Sequence, residues 1–259
     1  MEQDLTTGSV FKRIVYFSLP YLLSYFLQTL YGMADLFITG QFYGVDTITA
    51  VSNGSQIMHM MTVIIVGLAM GTTVTIGHSV GAKCMEQAEK IIGNTITLFM
   101  GIAVAFTVIL VVLVKPIVVL IATPQEAVAG TSIYLLICFI GIPFITAYNI
   151  ISSIFRGLGD SKSPMYFIGI ACVMNIALDY LFMGAFHMGA AGAALGTVCA
   201  QTFSVLVALW VIRRRKTGIS LKKSDFKIER AVIGQVLKIG IPVALQDGFI
   251  QVAFMIITV

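Results

Sequence analysis

Residues 96–114 read ITLFMGIAVAFTVILVVLV, a run without a single charge and apolar on every side of a helical wheel. At 1.5 Å per residue such a run crosses most of a bilayer core about 30 Å thick, which takes about 20 residues of helix. A porin-type strand would instead alternate apolar and polar residues in short segments. The rest of the chain shares this character: 259 residues, 58% hydrophobic, 11% charged, with mean hydropathy +0.96. Soluble domains carry about a quarter charged residues, and one this apolar would expose patches far beyond a few hundred Å². Soluble enzymes, nucleic-acid binders and disordered regulators are excluded together. What remains is an all-α polytopic membrane protein.

Apolar stretches outward from this run predict seven spans, near 14–39, 50–78, 91–114, 131–154, 164–185, 190–212 and 234–259. Pro20 and Pro143 fall inside spans, where membrane helices tolerate them, and Gly67 and Gly71 form a G-x-x-x-G pair suited to close helix contact. Pro116, Pro124 and Pro164 are expected at span ends. Cys84, Cys138, Cys172 and Cys199 show no C-x-x-C spacing and read as small packing residues. The first apolar run, after Met1 to Asp4, is too long for a signal peptide and reads as an uncleaved anchor.

Charge sets the expected orientation. Fifteen of the sixteen Lys and Arg fall on one side of these spans, leaving Lys115 on the other, so the positive-inside rule predicts a cytoplasmic N-terminus and a cytoplasmic-membrane location. Eight of them crowd Arg213 to Arg230; a nucleic-acid or lipid-headgroup patch is conceivable there, but topology alone requires a basic loop. After that loop, VLKIGIPVALQDGFIQVAFM matches the opening IVYFSLPYLLSYFLQTLYGM at an offset of 222, pairing Pro20 with Pro242, Leu23 with Leu245 and Met33 with Met255. Parallel repeats are a known transporter architecture. The expected division is a six-helix lobe over 1–212, a basic inter-lobe loop over 213–230, and over 231–259 the first helix of a second lobe, cut short at Val259.

Asp35, Asp179 and Asp247 lie well inside predicted spans, where each costs about 2.5–3.5 kcal/mol and needs a partner, a cavity or a proton. Counting from the outer span ends puts Asp35 about 6 Å, Asp179 about 9 Å, Asn175 about 15 Å and Thr197 about 10 Å deep. Two carboxylates, an amide and a hydroxyl thus fall in one layer, and Asn175 and Asp179 share a helix face. Such oxygens suit a proton or Na⁺. The alternative is structural: Asp35 snorkels outward and Asp179 caps a neighbouring backbone group.

Gln28, Asn53, Gln56, Asn149, Gln201 and Gln246 could line a cavity or serve as interhelical glue. His59, within Met58 to Met61, belongs either to an adaptable substrate surface or to packing. His78 and His187 sit near span ends. The run MGAAGAALGT, Met188 to Thr197, carries small residues that permit close approach of spans five and six. A phosphate-binding reading of it fails because no strand precedes it.

RGLGDSKSPM (Arg156 to Met165) and NIALDYLFMGAFHMGAAGAALGTVCAQ (Asn175 to Gln201) resemble the multidrug and toxic compound extrusion (MATE) transporters of bacteria. ADLFITG (Ala34 to Gly40) and GAKCMEQAEK (Gly81 to Lys90) fit the same family. The resemblance implies twelve helices in two six-helix lobes around a central cavity, exporting cationic or amphipathic drugs in exchange for H⁺ or Na⁺. In its DinF-like branch the first-lobe cation site corresponds to Asp35, Asn175, Asp179 and Thr197, and the proline linked to bending of the first helix corresponds to Pro20. Many relatives carry an acid eight positions after the helix-seven proline; here that position is Ile250, with Asp247 three residues earlier. This weakens the case for a second coupling site, and only about half of the family pattern is present.

The expectation is a cation-coupled antiporter, with Gln28, Asn53, Gln56, Met58, Met61, Asn149 and Gln201 as candidate cavity-lining residues. No cofactor is expected beyond the coupling ion, no metal beyond Na⁺ at the four-residue set, and no nucleic acid partner. A lipid-linked saccharide flippase of related fold would call for cationic residues in the spans, and these are nearly absent. A seven-helix receptor is suggested by the span count, but no polar tail follows the last span. An enzyme lacks a motif: no H-E-x-x-H or D-D-x-x-D occurs.

Overall fold

The computed structural model describes residues 9–214 and 221–258, and these form an all-helical bundle. The helices are α1 (Val10–Phe42), α2 (Val45–Gly81), α3 (Met85–Leu120), α4 (Gln125–Gly157), α5 (Lys162–Asp179), α6 (Ala190–Arg214) and α7 (Arg230–Thr258). A π-helical turn, Tyr180–Ala185, continues α5, and a 3-10 turn, Lys223–Phe226, precedes α7. Five of the predicted spans lie within one helix each, 164–185 covers α5 and its π turn, and 234–259 falls on α7 as far as Thr258; most helices run several residues past the predicted ends.

The connections show why the helices stop. Lys83 and Ala122 break α2 and α3 with positive φ, and Gly159 does the same after α4. Asp160 then starts α5, its carboxylate accepting from the backbone N–H of Lys162 and Ser163 and from the Ser163 hydroxyl. Pro124 and Pro164 lie at helix starts as expected. Pro116 does not end its helix: α3 continues through it to Leu120, because proline frees only one carbonyl of the preceding turn.

Six helices are long and apolar enough to cross a membrane, α2 to α6 and the Arg230–Ala253 part of α7, with α5 counted together with its π turn. α1, at 33 residues, is long enough but less apolar, since its tyrosines, Ser24, Gln28, Thr29 and Asp35 dilute the run. Of these, Tyr25, Gln28, Thr29, Tyr31 and Asp35 sit where α1 borders the interior cavities described below.

The core is centred on α2 and α4, against which α3, α6 and α7 pack, while α5 packs on α1 and α6. The predicted glycine pair works as a seam. A Cβ at Gly67 would lie 2.6 Å from Ala244 Cα, and one at Gly71 would strike the Val236 carbonyl, so α2 and α7 meet backbone to backbone. Cys138 and Cys172 are buried, whereas Cys84 and Cys199 are exposed; the helix surface, not the apolar run, decides which cysteines pack.

The segment before α7 is docked, not loose. Asn94, buried on α3, donates to the Asp225 carbonyl (3.1 Å) and accepts from the Glu229 N–H (2.7 Å), and Thr97 donates to the Phe226 carbonyl (3.0 Å). Of the basic loop, Arg215 and Lys216 lie outside the described residues. So do Met1 to Asp4, the side chain of Met255 and residue Val259.

Candidate functional site

α1, α5 and α6 bring Asp35, Asn175, Asp179 and Thr197 together inside the bundle. Asp35 is 3% exposed, and Asn175 and Asp179 are fully buried. The Thr197 hydroxyl donates to Asp35 Oδ2 at 3.2 Å, and the Asn175 amide donates to Asp179 Oδ1 at 3.4 Å. The two carboxyl groups are close enough to act on each other electrostatically. Asp35 is buried here and does not snorkel outward, and among the described residues Asp179 accepts from Asn175 and from no backbone group.

Each acid is held by its own helix. The Asp35 carbonyl accepts from Thr39 Oγ1 one turn later, at 2.6 Å. Asn175 and Asp179 stack four apart on α5, and the helix widens into the π turn directly after Asp179. Such turns recur at functional sites. Tyr43 secures the far end: its hydroxyl donates to the Met183 carbonyl (3.1 Å) and accepts from the Gly189 N–H (2.9 Å).

Three oxygens of the cluster, Asp35 Oδ1, Asn175 Oδ1 and Asp179 Oδ2, are buried without a hydrogen-bond partner. Buried polar atoms in folded proteins are nearly always satisfied. The Lys90–Glu86 ion pair lies elsewhere, and the cavity beside Asp35 is lined by no Lys or Arg. The arrangement presents carboxylate, amide and hydroxyl oxygens inward, the donor set of a hard cation, and carboxylates that can equally hold a proton.

Sequence reasoning treated Gly196 only as a small residue, yet it makes the room for this cluster. A Cβ there would collide with Asp179 Oδ1 and lie 3.5 Å from Asn175 Nδ2. Tyr31 was missed as well: one turn before Asp35, it donates to the Thr197 carbonyl at 3.3 Å. The i−4 spacing of Tyr31 from Asp35 was the available signal.

Asp35 and Thr197 border a small interior cavity of about 120 Å³, lined also by Gln28, Met58, His59, Asn149 and Gln201. A larger cavity of about 510 Å³ adjoins it between α1, α2 and α7, lined by Gln28, Gln56, His59, Met60, Asp247 and Gln251 among others. Gln28 and His59 border both, and His59 Nε2 lies 3.3 Å from Gln251 Nε2 of α7. Two candidates are placed elsewhere. Met61 packs against the core, and Asn53 falls short of both cavities toward the start of α2.

Comparison with known proteins agrees with this architecture. The MatE family model matches residues 20–181. The chain is 34% identical to the probable multidrug resistance protein YpnP of Bacillus subtilis, over 94% of this chain and 54% of that protein. It is 26% identical to the multidrug export protein MepA of Staphylococcus aureus, over 92% and 53%. A solved structure of MATE in the bent conformation matches with TM-score 0.87 at 26% identity, over 93% of this chain and 54% of that one. A MOP superfamily transporter from Pyrococcus furiosus gives 0.87 at 25%, over 94% and 54%. The chain spans about half the length of these relatives. With its apolar helices, its buried acids on α1 and α5 and these matches, the chain belongs to the MatE family.

Proposed function

We propose that this chain forms the first lobe of a cation-coupled antiporter that exports cationic or amphipathic compounds across the cytoplasmic membrane. Asp35, Asn175, Asp179 and Thr197 bind the coupling ion, H⁺ or Na⁺. The observation that carries this reading is the buried carboxylate pair with three unpartnered oxygens, beside a cavity lined by no Lys or Arg. Two uncompensated carboxylates are costly in an apolar interior, so the site favours whichever state supplies a proton or a cation.

Loading cancels the charge and lets α1, α5 and α6 pack closely. Release leaves two repelling acids, which favour a more hydrated packing. A lobe with two such packings converts ion binding into alternating access. Pro20 serves as the point where α1 yields, because it cannot donate the backbone bond that a regular helix makes there. The larger cavity, bordered by Asp247, Gln56, Met60 and His59, receives the substrate. Its lining contains an acid and no Lys or Arg, which supports a cationic substrate over the pyrophosphate of a lipid-linked saccharide.

In this reading residues 1–212 are the first lobe, 213–230 a cytoplasmic inter-lobe loop, and 231–259 the opening of a second lobe. The N-terminus is cytoplasmic and the chain catalyses no covalent reaction. The test is ethidium efflux from vesicles under imposed pH and Na⁺ gradients, with this chain alone and with a second lobe joined to it. Gradient-driven efflux that is lost in both D35N and D179N is the expected result. Efflux unchanged in both variants would refute the coupling site.

A further inference from the structure

The α2–α7 seam is pinched shut at Gly67 and Gly71, with the larger cavity on one side of the pinch. On the other side, where α2 ends and α3 begins, the helices part again around a second cavity of about 510 Å³. It is lined by His78 and Ser79 of α2, Gln87 of α3, and Gln235 and Lys238 of α7. We propose that this cavity binds the phosphate headgroup of an anionic phospholipid, which clamps α2, α3 and α7 together.

Charge and position point to that ligand. The lining offers an ammonium, an imidazole and two amides as donors, and it contains no acid. Among the described residues no carboxylate pairs with Lys238. Lys238 stands eight residues into α7, about 12 Å along its axis, where a lysine extends its stem toward the headgroup layer. Basic pockets between membrane helices on the positively flanked side are suited to anionic headgroups, and the surrounding helix ends carry Lys83 and Arg230, while Lys90 is paired with Glu86. A lipid fits better than a free phosphate because Lys238 lies inside the apolar Arg230–Ala253 part of α7, from which its ammonium reaches toward the headgroup layer.

This inference is independent of the coupling site, and the test uses the full chain purified in detergent. Lipid binding is read by native mass spectrometry and by thermal unfolding, with phosphatidylglycerol, phosphatidylcholine or inorganic phosphate added. Phosphatidylglycerol should bind and raise the unfolding temperature. K238Q should weaken that binding roughly fivefold, while K238R retains it and K115Q, at the opposite end of the bundle, leaves it unchanged. Phosphatidylglycerol should also protect Lys238 of the unmodified chain from acetylation more than Lys222 or Lys223, a readout that needs no variant. Equal binding by K238Q, equal binding of phosphatidylcholine, equal protection by inorganic phosphate, or absence of the selective protection would each overturn the assignment.

Discussion

Gly196→Ala probes the buried acids without altering any of their oxygens. The added methyl would collide with Asp179 Oδ1, with Asp179 Cγ at 3.3 Å and Asn175 Nδ2 at 3.5 Å. Asp179 is fully buried, so its carboxylate has no solvent to swing into. Either α6 moves off α5 or Asp179 breaks from Asn175. Overpacking of this kind costs about 1–3 kcal/mol, and the Asn175–Asp179 bond, already long at 3.4 Å, contributes about 0.5–1.5 kcal/mol. Against these stands about 1 kcal/mol of helix propensity gained when Ala replaces Gly. The net expectation is a loss of roughly 1–3 kcal/mol, with a weakened stabilising response to added Na⁺ or to lowered pH. The assay is thermal unfolding of the purified chain followed by intrinsic fluorescence, with and without Na⁺. Gly101→Ala on α3 is the control, since nothing lies within 4 Å of its added methyl, and it should be neutral or mildly stabilising. If the G196A protein unfolds with G101A and keeps its ion response, the close packing of α6 on the acids does not matter and the reasoning fails.

Two further outcomes follow from single contacts. Thr197→Ala removes the donor to Asp35 Oδ2 and should cost about 1–3 kcal/mol by leaving a buried acceptor unpaired; Thr197→Ser, which keeps the hydroxyl, should recover most of it in the same unfolding assay. Asn94→Ala strips the two hydrogen bonds that tie Asp225 and Glu229 to α3. It should lower stability by about 1–3 kcal/mol and speed tryptic cleavage within 213–230, and cleavage at the unmodified rate would show that the segment is held by other contacts.

The helices were legible because bilayer thickness and backbone hydrogen bonding leave a long apolar run one solution. Asp35, Asn175, Asp179 and Thr197 could also be singled out, since acids are costly at membrane depth and residue spacing measures depth along each helix. Depth does not give rotation about the axis. In a helix apolar on all sides no stripe marks the inward face, so Met61 and Asn53 looked as suited to a cavity as Met58 and Gln56, and only packing separated them. The π turn after Asp179 left no periodic signature, and Gly196 read as one small residue among many. Its necessity depends on an oxygen from a different helix. Composition and spacing thus determined by themselves that this chain spans a membrane and which acids lie deep within it. Tertiary packing alone decided that those acids face each other, what surrounds them and where α2 and α7 part, because such facts depend on helix azimuth and on contacts between residues far apart in the chain.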